Sequence, residues 1–152
     1  AGNVGFGKAI ELSIRELEDY EKKVKPIRDE LEKIITERIN YVYLNGHRQK
    51  RLPNTLNLSF EFVEGEAIVL GLDAEGISVS TGSACSSGSL EPSHVLKAMG
   101  VSPVLAQGAI RFSLGRENNE EEIRKTAEAV KRVVERLRQM SPLYAEHICR
   151  ET

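Results

Sequence analysis

Ile10, Ile14, Leu17, Val24, Ile27, Leu31 and Ile34 recur mostly at three- and four-residue steps, with Glu, Lys and Arg filling the positions between. That period puts them along one stripe of an amphipathic helix starting near Lys8. The glycine-rich opening, "AGNVGFG", carries no helix-start pattern. Pro26 removes an amide donor and crowds the preceding turn, so a kink, or two helices joined near Lys25, is expected. The heptads are few and uneven, which favours a core-facing seam over a coiled coil.

After Ile39 the pattern changes. "YVYLNG" reads as a strand ending in a turn, because Asn45 and Gly46 both tolerate positive φ. In "LPNTLNLSFEFVEG", Leu56, Leu58, Phe60 and Phe62 alternate with Asn57, Ser59 and Glu61, the period of a strand with one buried face. "GEAIVLGLDAEG" suits a short helix closed by Gly76, and "ISVS" a strand running into the small-residue stretch "STGSACSSGS". Ser93 is placed as an N-cap and Gly100 as a stop, "SPVLAQG" repeats that device, and "AIRFSLG" is a strand. Asn118 or Asn119 caps "EEEIRKTAEAVKRVVERLRQM", whose stripe is Ile123, Ala127, Val130, Val134 and Leu137. Acids in its first turn and bases toward its end match the helix dipole. The predicted architecture is α+β: a small, mostly antiparallel sheet covered by helices, with a long helix at each end and a frayed tail over residues 142–152.

Composition narrows the class. At 152 residues, 40% hydrophobic and 29% charged with net charge −2, the chain reads as a globular domain with no basic bias toward nucleic acid or anionic membrane. No apolar run approaches the ~20 residues of a membrane span. Charged residues also come too early for a secretory signal, so a cytoplasmic location is expected. Two cysteines, Cys85 and Cys149, make neither a disulfide framework nor a paired thiolate metal site. No two histidines have metal-ligand spacing, and "GNVGFG" lacks the preceding strand and the lysine of a phosphate loop.

Two residues stand out. Cys85 sits among Ser, Thr, Gly and Ala, which bury too little apolar area to offset their ordering entropy, so its thiol is expected on a mobile, accessible loop. A bystander cysteine fits the composition as well, since no His, Lys or Arg lies in the loop to activate it. Arg111 faces away from Ile110 and Phe112 and offers a planar fork suited to a carboxylate, although an arginine on a solvated sheet face has the same pattern. His47 reads as a solvated turn residue, His94 as a first-turn helix residue and His147 as part of the tail.

"SVSTGSACSSGSLEPSHVLKAMG" resembles the active-cysteine segment of cysteine desulfurases of the NifS/IscS type, in which an SGSAC-like run precedes PSHVL-AMG or a close variant. "RLPNTLNLSF" and "GAIRFSLGRENNEEEI" resemble further motifs of that family in the same order, and the resemblance extends from about Val4 through Leu137. It implies the C-terminal part of a fold-type-I pyridoxal-phosphate enzyme. Residues 1–40 would be the connecting helix, and residues 41–141 the small domain with its sulfur-accepting loop at 80–92. It also places the sulfur-accepting nucleophile on Cys85 and the arginine for the substrate carboxylate on Arg111.

In the implied reaction the cofactor holds L-cysteine, the thiolate attacks the substrate sulfur, and alanine leaves while a persulfide stays on the enzyme. The family's cofactor lysine, in an H-K-x-x-G-P-K-G-like segment, has no counterpart here. A C-terminal fragment, a separate domain or a cleaved piece is therefore expected. Alone, it would not retain pyridoxal phosphate and would contribute nucleophile and carboxylate clamp to a large cofactor-binding domain. The resemblance further implies a homodimer of the full enzyme and an iron-sulfur scaffold or other sulfur acceptor. An autonomous sulfur-carrier or docking module is the alternative.

Overall fold

The computed structural model describes residues 1–82 and 93–151. Elements follow in the order α1 (Gly2–Arg38), β1 (Val42–Leu44), β2 (Thr55–Phe60), α2 (Gly65–Asp73), β3 (Ser80–Thr81), α3 (His94–Ala98), α4 (Pro103–Gln107), β4 (Ala109–Ser113), α5 (Glu120–Gln139) and α6 (Pro142–Glu151). The strands form one antiparallel sheet in the order β1-β2-β4-β3. This is the α+β arrangement expected, with α1, α2 and α5 packed on one face of the sheet and α3 and α4 at one end of the other.

Alternation along β2 and β4 decides which face is covered. Leu56 stands opposite Phe112 and Leu58 opposite Ile110, and all four are buried against Val24, Leu31 and Ile35 of α1, Ile68 and Leu72 of α2, and Val130, Val133 and Val134 of α5. Each fully buried Leu or Ile in this layer contributes roughly 1.5–3 kcal/mol relative to exposure. The opposite face carries Thr55, Asn57, Arg111 and Ser113. Its far end is capped by a small second cluster in which α3 and α4 set Leu96 and Ala106 on Ala109.

Close approach explains two glycines. A methyl at Gly108 would lie 2.1 Å from the Phe60 carbonyl oxygen, so only glycine lets the start of β4 meet the end of β2. At Gly71 it would lie 2.6 Å from a methyl of Val133, so α2 and α5 meet almost backbone to side chain.

Helix α1 corrects three expectations. It begins at Gly2 rather than near Lys8, because elongation from an anchored helix adds one hydrogen bond per residue and outweighs the glycines' modest cost. It runs as one element through Pro26 rather than as two helices. And only its second half is a core seam: Ile10, Ile14 and Leu17 are exposed, as are Val4 and Phe6, because the sheet and α5 end before reaching them. The overhanging half is tied near its middle by Tyr20, whose hydroxyl donates to the Leu114 carbonyl at 3.2 Å, and by Glu16, which accepts from Arg116 at 2.5 Å.

Two smaller corrections concern the strands. Phe62, expected to continue the β2 alternation, lies beyond the strand end with φ of 69°. Of "ISVS", only Ser80 pairs with β4, together with Thr81.

The expected frayed tail is instead α6, a helix held by an aromatic cluster. His147 stacks on Phe62 with centroids 4.8 Å apart and meets Tyr41 edge-on at 5.0 Å, while Tyr144 lies 5.5 Å from Phe62.

Candidate functional site

Arg111 lies between Asn57 and Ser80 on the sheet face turned away from the main core. Being third in β4, it points away from the core while Ile110 and Phe112 point in, and its side chain is exposed. In register it faces Asn57 on β2 and Ser80 on β3. No hydrogen bond or ion pair with the described residues engages its guanidinium, so the fork is available to a ligand.

The neighbours are not equivalent. Ser80 donates its hydroxyl to the Thr81 carbonyl at 3.1 Å. Asn57 is oriented from the other side: Asn45 Nδ2 donates to Asn57 Oδ1 at 2.7 Å and to Ser59 Oγ at 2.8 Å, and the Asn45 amide N–H donates to the Asn57 carbonyl at 3.0 Å. Asn45 ends the "YVYLNG" strand and Gly46 after it has φ of 99°, so the turn read from sequence is what delivers Asn45 to Asn57.

Cys85 lies outside the described residues. The points at which the described chain stops and resumes are close together: a Cβ built on Gly82 would be 3.4 Å from the Ser93 Cβ and 3.7 Å from that of Ala109. The Gly82 amide donates to the Ala109 carbonyl at 3.2 Å. Both ends are therefore fixed at the edge of the face that carries Arg111. Ser93 occupies the N-cap position of α3 as expected, although its side chain makes no cap bond.

The other candidates separate cleanly. His47 accepts the Gln49 and Lys50 amides at Nδ1, both at 3.0 Å, which makes it a turn-forming residue. His94 is exposed in the first turn of α3, Cys149 is a free exposed thiol on α6, and His147 belongs to the aromatic cluster. Among the described residues no group of three or more His, Cys, Asp or Glu side chains could hold a metal, and no helix is long and apolar enough to cross a membrane.

Sequence reasoning missed two buried arginines, Arg28 and Arg138, and the partly buried Arg51. Arg28 donates to Asp29 Oδ1 through Nε and Nη2 at 2.9 and 2.6 Å, and through Nη1 to the Leu52 carbonyl at 2.8 Å. Arg51 joins the same cluster through Glu32. Together they hold the loop between β1 and β2 against α1. Arg138 donates to the carbonyls of Asn40, Tyr41 and Glu61 at 2.8, 3.1 and 3.1 Å, and burial pushes its guanidinium below its ordinary value. A signal existed for two of them: Arg28 falls four residues after Val24, and Arg138 four after Val134, on stripes otherwise apolar.

With this geometry in place, likeness to known proteins becomes interpretable. The model of the family "Aminotransferase class-V" matches residues 1–126. The cysteine desulfurase IscS of Dictyoglomus turgidum is 51% identical over 146 residues, 96% of this chain and 37% of that protein. The cysteine desulfurase IscS 1 of Archaeoglobus fulgidus is 48% identical over 141 residues, 93% of this chain and 37% of that protein. A solved NifS-like protein from Rickettsia africae superposes with a TM-score of 0.75 at 30% identity, over 86% of this chain and 33% of that one. The chain thus spans little more than a third of the length of the curated relatives it matches. Matched by the family model over residues 1–126, with near relatives of one name, this chain belongs to the class-V aminotransferase family and is similar to that family's cysteine desulfurases.

Proposed function

We propose that this chain is the C-terminal part of a cysteine desulfurase, carrying the sulfur-accepting Cys85 and the carboxylate-binding Arg111. The observation that carries this reading is the exposed guanidinium of Arg111, engaged by no hydrogen bond or ion pair among the described residues, on the sheet face that also carries Thr55, Asn57 and Ser113. Cys85 follows only three residues after Gly82, which is fixed beside that face. Three residues of chain span about 10 Å at most, within reach of a substrate whose carboxylate sits on Arg111.

The class-V family works with pyridoxal phosphate, but the residues described here do not form its site. Their lysines are exposed, apart from Lys131, which is partly covered and lies 3.9 Å from Glu135 on the surface of α5. A large domain would hold the cofactor, and the apolar residues Val4, Phe6, Ile14 and Leu17 on the overhanging half of α1 suit contact with it. The net reaction is balanced without further reagents. The Cys85 thiol and L-cysteine give a Cys85 persulfide and L-alanine: the substrate Cβ–S bond breaks, an S–S bond forms, and the carbon gains a proton. Arg111 fixes the substrate carboxylate so that the sulfur faces the thiol. The persulfide would pass to an iron-sulfur scaffold or another acceptor in the cytoplasm, from an enzyme that is a homodimer.

The test combines this chain with the large domain and follows alanine release together with the mass of Cys85. Activity and a persulfide only in the combination support the proposal. Cofactor absorbance and alanine release by the chain alone would overturn it, and sulfur uptake and transfer by Cys85 without the large domain would favour a carrier module.

A further inference from the structure

We infer that Asn57 is a second donor to the substrate carboxylate, oriented for that task by Asn45. This rests on the reading of Arg111 as the carboxylate-binding residue. Asn57 stands directly opposite Arg111 in the β2–β4 register, where Cβ atoms of facing residues are roughly 4.5–5.5 Å apart. A ligand on the guanidinium therefore lies beside the Asn57 amide.

The identity of the exposed amide group decides what it can do. Asn45 Nδ2 approaches one end of the Asn57 amide at 2.7 Å and Ser59 Oγ at 2.8 Å, and its backbone amide donates to the Asn57 carbonyl. A donor at that position requires Oδ1 there, which leaves Nδ2 as the free end. Neither Nδ2 proton goes to an acceptor among the described residues.

Ser80, on the other flank of Arg111, has already given its proton to the Thr81 carbonyl and offers an acceptor. The face around Arg111 is thus asymmetric. A carboxylate bound by the fork gains a further hydrogen bond on the β2 side and none on the β3 side, which sets its rotation about the guanidinium. Asn45 acts through Asn57 and is a positioning residue.

The experiment uses the cofactor-loaded enzyme formed with the large domain, and measures equilibrium binding of L-alanine and of ethylamine, which lacks the carboxylate. Asn57→Ala is expected to weaken L-alanine about tenfold and leave ethylamine within about twofold, the loss of one charge-assisted hydrogen bond. The near-isosteric Asn57→Asp should weaken L-alanine about a hundredfold by setting a carboxylate against a carboxylate, and it keeps the shape if the alanine variant folds poorly. Asn45→Ala should weaken L-alanine about threefold, because the amide is then free to turn over. If Arg111→Lys selectively weakens L-alanine while both Asn57 variants leave it unchanged or weaken both ligands equally, the role of Asn57 is overturned and Arg111 stands. If Arg111→Lys is itself unselective, the carboxylate site falls and the inference with it.

Discussion

Arg138 reaches the carbonyl of Tyr41 at 3.1 Å, and Tyr41 is held at φ of 55°, a conformation that side-chain-bearing residues rarely adopt. The same guanidinium takes the carbonyls of Asn40 and Glu61, so one side chain at the end of α5 fixes both the exit of α1 and the end of β2. Its Cζ also lies 5.7 Å from the ring centroids of Tyr41 and Tyr144. Arg138→Met should cost about 3 kcal/mol, since three carbonyls lose a charged donor in a buried setting. Arg138→Lys should recover only part of that, because an ammonium lacks the fork. Urea unfolding monitored by circular dichroism measures both.

Gly108→Ala is expected to be the more damaging of two glycine substitutions. Its methyl meets the Phe60 carbonyl oxygen at 2.1 Å and the Val63 carbonyl oxygen at 2.9 Å, and backbone cannot swing aside. Gly76→Ala meets nothing within 4 Å and bears only the strain of φ 77°, a cost of about 1 kcal/mol. A loss for Gly108→Ala of no more than that, in thermal melts of the two variants, would contradict this packing.

Tyr43 links stability to alkaline pH. Its hydroxyl donates to Glu61 at 3.0 Å, and that hydrogen bond raises its pKa above the ordinary 10.0, with burial and the carboxylate charge adding to the effect. Above pH 10 the unfolded chain releases this proton first, which favours unfolding. The contribution is therefore complete below about pH 10 and is lost as pH rises through the higher folded-state value. Stability curves of the wild type and Tyr43→Phe should converge over that window, in melts from pH 8 to 11.

Asn119 caps α5 by accepting the Glu122 amide at 3.0 Å, while the Glu122 carboxylate accepts the Asn119 amide at 3.2 Å. Asn119→Ala should cost about 1 kcal/mol, and Asn119→Asp should keep most of the stability. Chemical denaturation of the two variants distinguishes cap loss from general disruption.

For the proposed reaction, Cys85→Ser should abolish persulfide formation, read as the mass added at residue 85, while leaving L-alanine binding intact. Arg111→Ala should do the reverse: Cys85 remains alkylatable at the wild-type rate, but L-alanine binding falls by more than tenfold.

Much of the fold was legible because two periods compete so clearly along the chain. Leu56, Leu58 and Phe60 repeat every second residue, and Ile123, Ala127, Val130 and Val134 every third or fourth, and both sets are buried. The face of Arg111 followed from the same alternation. What stayed hidden was decided by tertiary context. Ile10, Ile14 and Leu17 keep the helical period although nothing described covers them, because periodicity says which side of a helix is apolar and not whether it has a partner. The last segment forms α6 because Phe62 and Tyr41, distant in sequence, receive Tyr144 and His147. Asn57 could be placed on a strand but not beside Arg111, since register between strands more than fifty residues apart is not written in either strand alone.

The overhang of α1 has a mechanical meaning. Helix α1 is gripped by the sheet and α5 from Val24 onward and tied again at Tyr20 and Glu16, so the fourteen residues from Gly2 to Arg15 form a stiff arm about 21 Å long. A tilt of about 5° at the grip carries its tip about 2 Å. A surface that took up Val4 and Phe6 would therefore hold the far end of a lever, where a small rotation at the core-facing grip becomes an ångström-scale stroke.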